Sequence, residues 1–151
     1  MIIAKQTQTD YQQTSTMNSH WCVYHKDMNE GSNPQNYGMY LNTNIGKQQS
    51  SGFWNNTAPT ATTLGVGNKV VDTTWNDDPY NSTLFMMFAD TPGILKTGKY
   101  TGNGSFVSVD CGFTDGVRFV LVKREDWSGH WYVFDHAHGL GGGQYIDEAV
   151  F

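Results

Sequence analysis

Short apolar runs in this chain are set between polar stretches, and two pairs of those runs read alike. Met1-Ile-Ile-Ala-Lys5 is followed, after a polar stretch, by His20-Trp21-Cys22-Val23-Tyr24-His25. Phe119-Val-Leu-Val-Lys123 is followed by His130-Trp131-Tyr132-Val133-Phe134-Asp135. Lys5 and Lys123 stand 118 positions apart whereas Trp21 and Trp131 stand 110 apart, so the connection in the first copy is eight residues longer. Recurring strands joined by a variable loop mark a reused supersecondary unit, and the chain holds about one and a third such units. Residues 1–97 read as the later part of one repeat module and 98–151 as the opening part of the next, together forming one compact β-sandwich unit. Met1 opens directly on an apolar strand and Phe151 closes an apolar run, the ends expected of a segment from a longer array as well as of a small complete protein.

No helical period persists over ten or more residues, because Gly or Pro interrupts most windows. The pattern predicts strands at 1–6, 20–26, 38–44, 62–66, 82–89, 98–100, 106–111, 118–123, 131–135 and 144–146, with at most a short turn of helix. The fold class is therefore all-β, an antiparallel two-sheet sandwich with an internal strand repeat. Along 20–25, Trp21 and Val23 face one way and Cys22 and Tyr24 the other. Both faces are apolar, as in a strand covered on each side. Residues 7–19 form a polar insertion and predict an exposed, mobile loop.

Composition supports this picture. Charged residues make up 15% of the chain and aromatic residues 14%, alongside abundant Thr, Asn, Ser and Gly, a balance suited to pleated strands and tight turns. A net charge of −5 with nine scattered Lys and Arg disfavours a nucleic-acid partner. No apolar stretch approaches the roughly 20 residues of a membrane span, and no signal-peptide pattern opens the chain. Cys22 and Cys111 each fall in a strand-like run and read as small buried thiols; a single disulfide between them is the alternative.

The series Met1-Ile-Ile-Ala-Lys5, Trp21-x-Val-Tyr-His-Lys26, Tyr40-Leu-Asn42 and Phe53-Trp-Asn-Asn-Thr-Ala-Pro-Thr60 resembles the repeated lectin-like module of marine bacteriophage tail-fibre and other virion proteins. The later segments Phe88-Ala-Asp90, Gly98-Lys-Tyr-Thr-Gly-Asn-Gly-Ser105, Phe119-Val-Leu-Val-Lys-Arg124 and Trp131-Tyr-Val-Phe-Asp135 resemble the opening half of its next copy. The resemblance covers almost the whole chain in order. It implies a concanavalin-like jelly roll, assembled in virions as multi-chain fibres or appendages. Departures fall in 7–19 and in 72–81, where Asp72, Trp75, Asp77, Asp78 and Tyr80 replace the usual small residues. No site residue is carried over from the family.

The residues themselves offer a few candidate sites. The acidic pairs Asp77/Asp78, Glu125/Asp126 and Asp147/Glu148 lie adjacent in turns, which does not supply the two carboxyl groups facing across a bond that glycoside hydrolysis needs. Asn76, Asp77, Asp78 and Asn81 gather hard oxygen donors in one short loop, a candidate calcium site weighed against a turn that bonds its own backbone. His136 and His138 would share a strand face and could collect a metal ion about an oligomer axis; exposed side chains are the plainer reading. Trp75, Tyr80 and Trp127 sit beside Asn, Asp and Ser in loops, where rings stack on sugars while polar neighbours take the hydroxyls; the plainer reading has them covering strand ends or subunit contacts.

The resulting expectation is a non-enzymatic bacteriophage virion protein, a tail-fibre or appendage module that contributes to attachment to host-surface glycans through multivalency. It would bind other virion proteins and form a homo-oligomer, a trimer by default, with no nucleic acid, membrane insertion or obligatory cofactor. A capsid decoration or fibre spacer is the alternative, and a polysaccharide depolymerase a further one.

Overall fold

The computed structural model describes residues 1–7, 20–71 and 82–137. Among them are seven strands and one turn of α-helix: β1 (Ile2–Thr7), β2 (Trp21–Tyr24), β3 (Tyr37–Tyr40), β4 (Gln48–Gln49), α1 (Ser51–Trp54), β5 (Ser82–Met87), β6 (Phe119–Lys123) and β7 (Trp131–Asp135). Five strands form one antiparallel sheet in the order β4-β3-β2-β1-β5, and β6 pairs with β7 as a separate hairpin. The described residues are thus mostly strands in antiparallel sheets with little helix, an all-β fold.

β1 and β2 lie in the middle of the sheet, and their alternation explains why. Ile2, Ala4, Cys22 and Tyr24 join Tyr40 on one face, where α1 brings Phe53 and Trp54, both at 0% exposure, together with Val70. Ser50 starts α1 by accepting a hydrogen bond from the Gly52 amide at 3.2 Å, and Asn55, in the left-handed region at φ 50°, ends it. The Tyr40 and Phe53 rings meet at 5.3 Å and the Tyr24 and Trp54 rings edge-on at 5.7 Å. Gly38 makes this approach fit, because a Cβ there would lie 2.4 Å from the Phe53 ring.

The opposite face carries Ile3, Val23 and Met39, packed with Met28 and Trp131 and flanked by Trp21, Leu121, Met86 and Phe88. Trp131 and Leu121 belong to the β6–β7 hairpin, which therefore covers this side. The Trp131 indole N–H donates to the Tyr40 carbonyl at 2.9 Å. Trp21 and Val23 thus face one core and Cys22 and Tyr24 the other, as the pattern predicts.

The two hairpins share a register. Lys5 is opposite Trp21, Ala4 opposite Cys22 and Ile3 opposite Val23. Lys123 is likewise opposite Trp131, Val122 opposite Tyr132 and Leu121 opposite Val133.

Three predicted strands are absent among the described residues. At 106–111 the ladder loses to local bonds: Asn103 and Asp110 side chains accept from the amides of Ser105 and Gly112 at 3.0 and 2.8 Å. Residues 98–100 are also irregular. At 62–66 the Thr60 hydroxyl accepts from the amides of Thr62 and Thr63, folding a turn instead. The strand predicted at 144–146, and the loop predicted at 7–19 beyond Thr7, lie outside the described residues. Cys22 and Cys111 are both free thiols. Cys22 is 1% exposed and donates to the Lys69 carbonyl at 3.1 Å, and burial pushes its pKa up to about 12. Cys111 is half-buried and lies outside any strand.

Two outcomes follow from this packing. Gly38→Ala overpacks the Phe53 ring and lowers unfolding free energy by about 1–3 kcal/mol in urea denaturation, with partial recovery in the Gly38→Ala, Phe53→Leu double variant. A thiol reagent at neutral pH labels Cys111 in the native protein and Cys22 only after unfolding; equal labelling of both in the native state would refute the buried position of Cys22.

Candidate functional site

The turn joining β6 to β7, residues 124–130, is where the sequence candidates and the described structure meet. It is fastened to two loops of the large sheet. The Lys47 amide donates to the Glu125 carbonyl and the Gly129 amide to the Asn44 carbonyl, each at 2.8 Å. Lys123 Nζ donates to the Asn44 carbonyl at 3.1 Å and to the Gly129 carbonyl. Gly46 is required at the crossing, since a Cβ there would sit 2.8 Å from the Glu125 carbonyl oxygen and 2.9 Å from that of Trp127.

Glu125 adds side-chain anchors. Its Oε2 accepts from the Asn29 amide at 2.9 Å, and its Oε1 lies 3.4 Å from Lys47 Nζ. Asn29, Glu30 and Gly31 follow one another in the left-handed region, at φ 53°, 58° and 74°. Of their amides, that of Asn29 reaches the Glu125 carboxylate, while that of Gly31 donates to the Asp27 carbonyl at 3.1 Å. On the outer side of the turn, Arg124 grips Asp126 with two hydrogen bonds of 3.0 and 2.9 Å. That pairing holds the Asp126 carboxyl below its ordinary range and raises the guanidinium. The two acids of this turn are thus committed to different partners.

Directly after them stands Trp127, 72% exposed on a turn whose backbone is pinned on both sides. Its indole is a preformed flat apolar platform, flanked by the Arg124–Asp126 pair and by Ser128. Stacking on a sugar ring or on another ring is the chemistry open to it. Of the other candidates, Trp75, Tyr80, Asp77, Asp78 and His138 lie outside the described residues. His136 is exposed just beyond β7, with its amide donating to the Arg118 carbonyl at 2.9 Å. Among the described residues no three His, Cys, Asp or Glu gather to hold a metal ion. In the sequence Glu125 is one of two adjacent turn acids, and nothing singles out Gly46 or Lys47. The structure makes all three the fastening of the Trp127 turn.

Fold and site define an all-β protein of antiparallel sheets that presents a tryptophan on a fastened turn. The chain belongs to the DUF7483 family, described as a domain of unknown function, whose model matches residues 1–141. No curated protein and no solved structure matches it. Among the described residues no helix is long and apolar enough to cross a membrane.

His25 lies at the base of the same loop cluster, and its Nδ1 accepts from the Asp27 amide at 3.2 Å. Burial lowers its pKa below the ordinary 6.5, against the pull of Asp27. The unfolded chain therefore binds a proton that the folded chain refuses, so the stability contribution is complete above pH 6.5 and declines as pH falls toward the lowered folded value. Thermal melts between pH 7.5 and 5 should show a falling midpoint, and His25→Gln should flatten that dependence.

Proposed function

We propose that this chain is a non-enzymatic structural module of a bacteriophage virion, carried on a tail fibre or similar appendage and contributing to attachment to host-surface glycans. The observation that supports it most is Trp127: an indole left in solvent on a turn pinned by backbone bonds, Glu125 and Gly46. A rigid aromatic loses little conformational entropy when it stacks on a ligand, so a single weak contact on several copies adds up through avidity. The resemblance carried by the segments 1–5, 21–26, 53–60 and 119–135 supplies the virion context and the finer architecture, a concanavalin-like jelly roll built on the internal repeat.

The rival reading, a capsid decoration or fibre spacer that binds other virion proteins, draws on a different observation. Ile94 is 78% exposed and Phe106 94% exposed, along a segment with no strand partners among the described residues. Such side chains suit burial against a neighbouring protein.

Immunogold labelling of intact virions separates the two readings by position, with gold on fibres supporting attachment and gold over the capsid supporting decoration. Unlabelled virions, with an accessible epitope and a working control antibody, would remove the virion reading altogether. For the attachment role, Trp127→Ala should reduce binding of the assembled protein to host glycans by about tenfold or more while shifting unfolding free energy by no more than about 0.5 kcal/mol. Unchanged glycan binding in that variant would reject Trp127 as the contact.

A further inference from the structure

The shared register of the two hairpins exposes a difference between them. The Phe88 amide donates to the Met1 carbonyl, and Ile2 is opposite Met87. Bonded pairs alternate along an antiparallel ladder, so Met1, Ile3 and Lys5 turn their amides and carbonyls toward β5. In the second hairpin the His136 amide donates to the Arg118 carbonyl, and Phe119 is opposite Asp135. Val120 and Val122 therefore bond to β7, while Phe119, Leu121 and Lys123 turn theirs to the outer edge of β6. Phe119, Leu121 and Lys123 are the counterparts of Met1, Ile3 and Lys5. Among the described residues no strand pairs with them.

An apolar Phe-Val-Leu-Val edge whose outward amides and carbonyls pair with no described strand is a template for another strand. We propose that β6 pairs edge to edge with β6 of a second copy of this chain, antiparallel about a two-fold axis through Leu121. The sequence of the edge selects this occupant. Centring on Leu121 sets Phe119 opposite Lys123 of the second copy at both ends, and it bonds all three outward residues of each strand, about six hydrogen bonds in all. Every other register pairs fewer of them, and sliding toward Lys123 sets the two lysines against each other. The four strands that result carry a continuous outward face of Val120, Val122, Tyr132 and Phe134 from each copy. On that face the Tyr132 and Phe134 rings lie parallel, with centroids 6.3 Å apart. The face bears no charge, so a net charge of −5 per chain does not oppose the contact locally. A two-fold contact makes dimers, or larger assemblies built from dimers, and it stands independently of the virion reading.

Sedimentation and residue-resolved amide exchange on the full chain test it. The expected result is a reversible monomer–dimer equilibrium. The amides of Phe119, Leu121 and Lys123 gain about tenfold or more in protection as the dimer forms, while those of Val120 and Val122 stay protected throughout. Phe119→Pro removes an outward amide at a position 60% exposed and should weaken association by about tenfold or more. Phe119→Lys keeps the whole backbone and places like charges opposite each other, so it should weaken association even if the proline variant fails to fold. A chain that stays monomeric would overturn the proposal. So would a dimer in which those three amides exchange as in the monomer, or protection of the same amides in the monomer, which would mean that the chain fills the edge itself.

Discussion

The structure depends on one constraint: β1 and β2 are apolar on both faces, so the sheet they form needs cover on both sides. The surrounding elements supply it. β5 and β3 pair with the outer sides of β1 and β2, α1 with the chain from 64 to 71 closes the face of Ala4 and Cys22, and β6–β7 closes the face of Ile3 and Val23. Magnitudes show which forces decide this. Full burial of a side chain such as Phe53 is worth about 1.5–3 kcal/mol, whereas solvent screens an exposed ion pair such as Arg124–Asp126 and leaves it little to contribute. The ion pairs trim loops that apolar burial has already placed.

Much of this was legible from the pattern of residues. Unbroken apolar runs in 1–4 and 21–24, which put apolar side chains on both faces, marked the central strands and their double cover. The likeness of 119–123 and 131–135 to 1–5 and 21–25 marked the second hairpin. The failures came where alternation was matched by residues that bond their own backbone. Phe106 to Cys111 alternates like a strand, but Asn103 ahead of it and Asp110 near its end have side chains that capture nearby amides. A strand outcompetes such local bonds only when a neighbouring strand rewards it, and the described residues provide none there.

The candidate site was less legible, for a physical reason. Trp127 stood out by type and by its polar loop neighbours, yet what makes it rigid is a set of contacts between residues far apart in the chain, Glu125 to Asn29 and Lys47, and Gly129 to Asn44. Most of these end on a backbone amide or carbonyl, which every residue carries and which leaves no mark on residue type. The same holds for Trp131, whose indole partner is the carbonyl of Tyr40. Sequence spacing reveals a strand because its signal is local and periodic. A clasp between two loops has neither property.

One strand pattern thus serves two purposes in this chain. In β1–β2 it is enclosed on both faces and paired on both edges, and it acts as core. In β6–β7 the same register is enclosed on one face only, so its inner side, through Trp131 and Leu121, completes the core while its turn and outer side stay available. The turn gains a fixed tryptophan because Glu125 and Lys123 tie it down, and tying it down requires that the hairpin already be docked by Trp131. Exposure and rigidity therefore have one origin. A hairpin used a second time, with less of it covered, leaves surfaces that the first use had to bury.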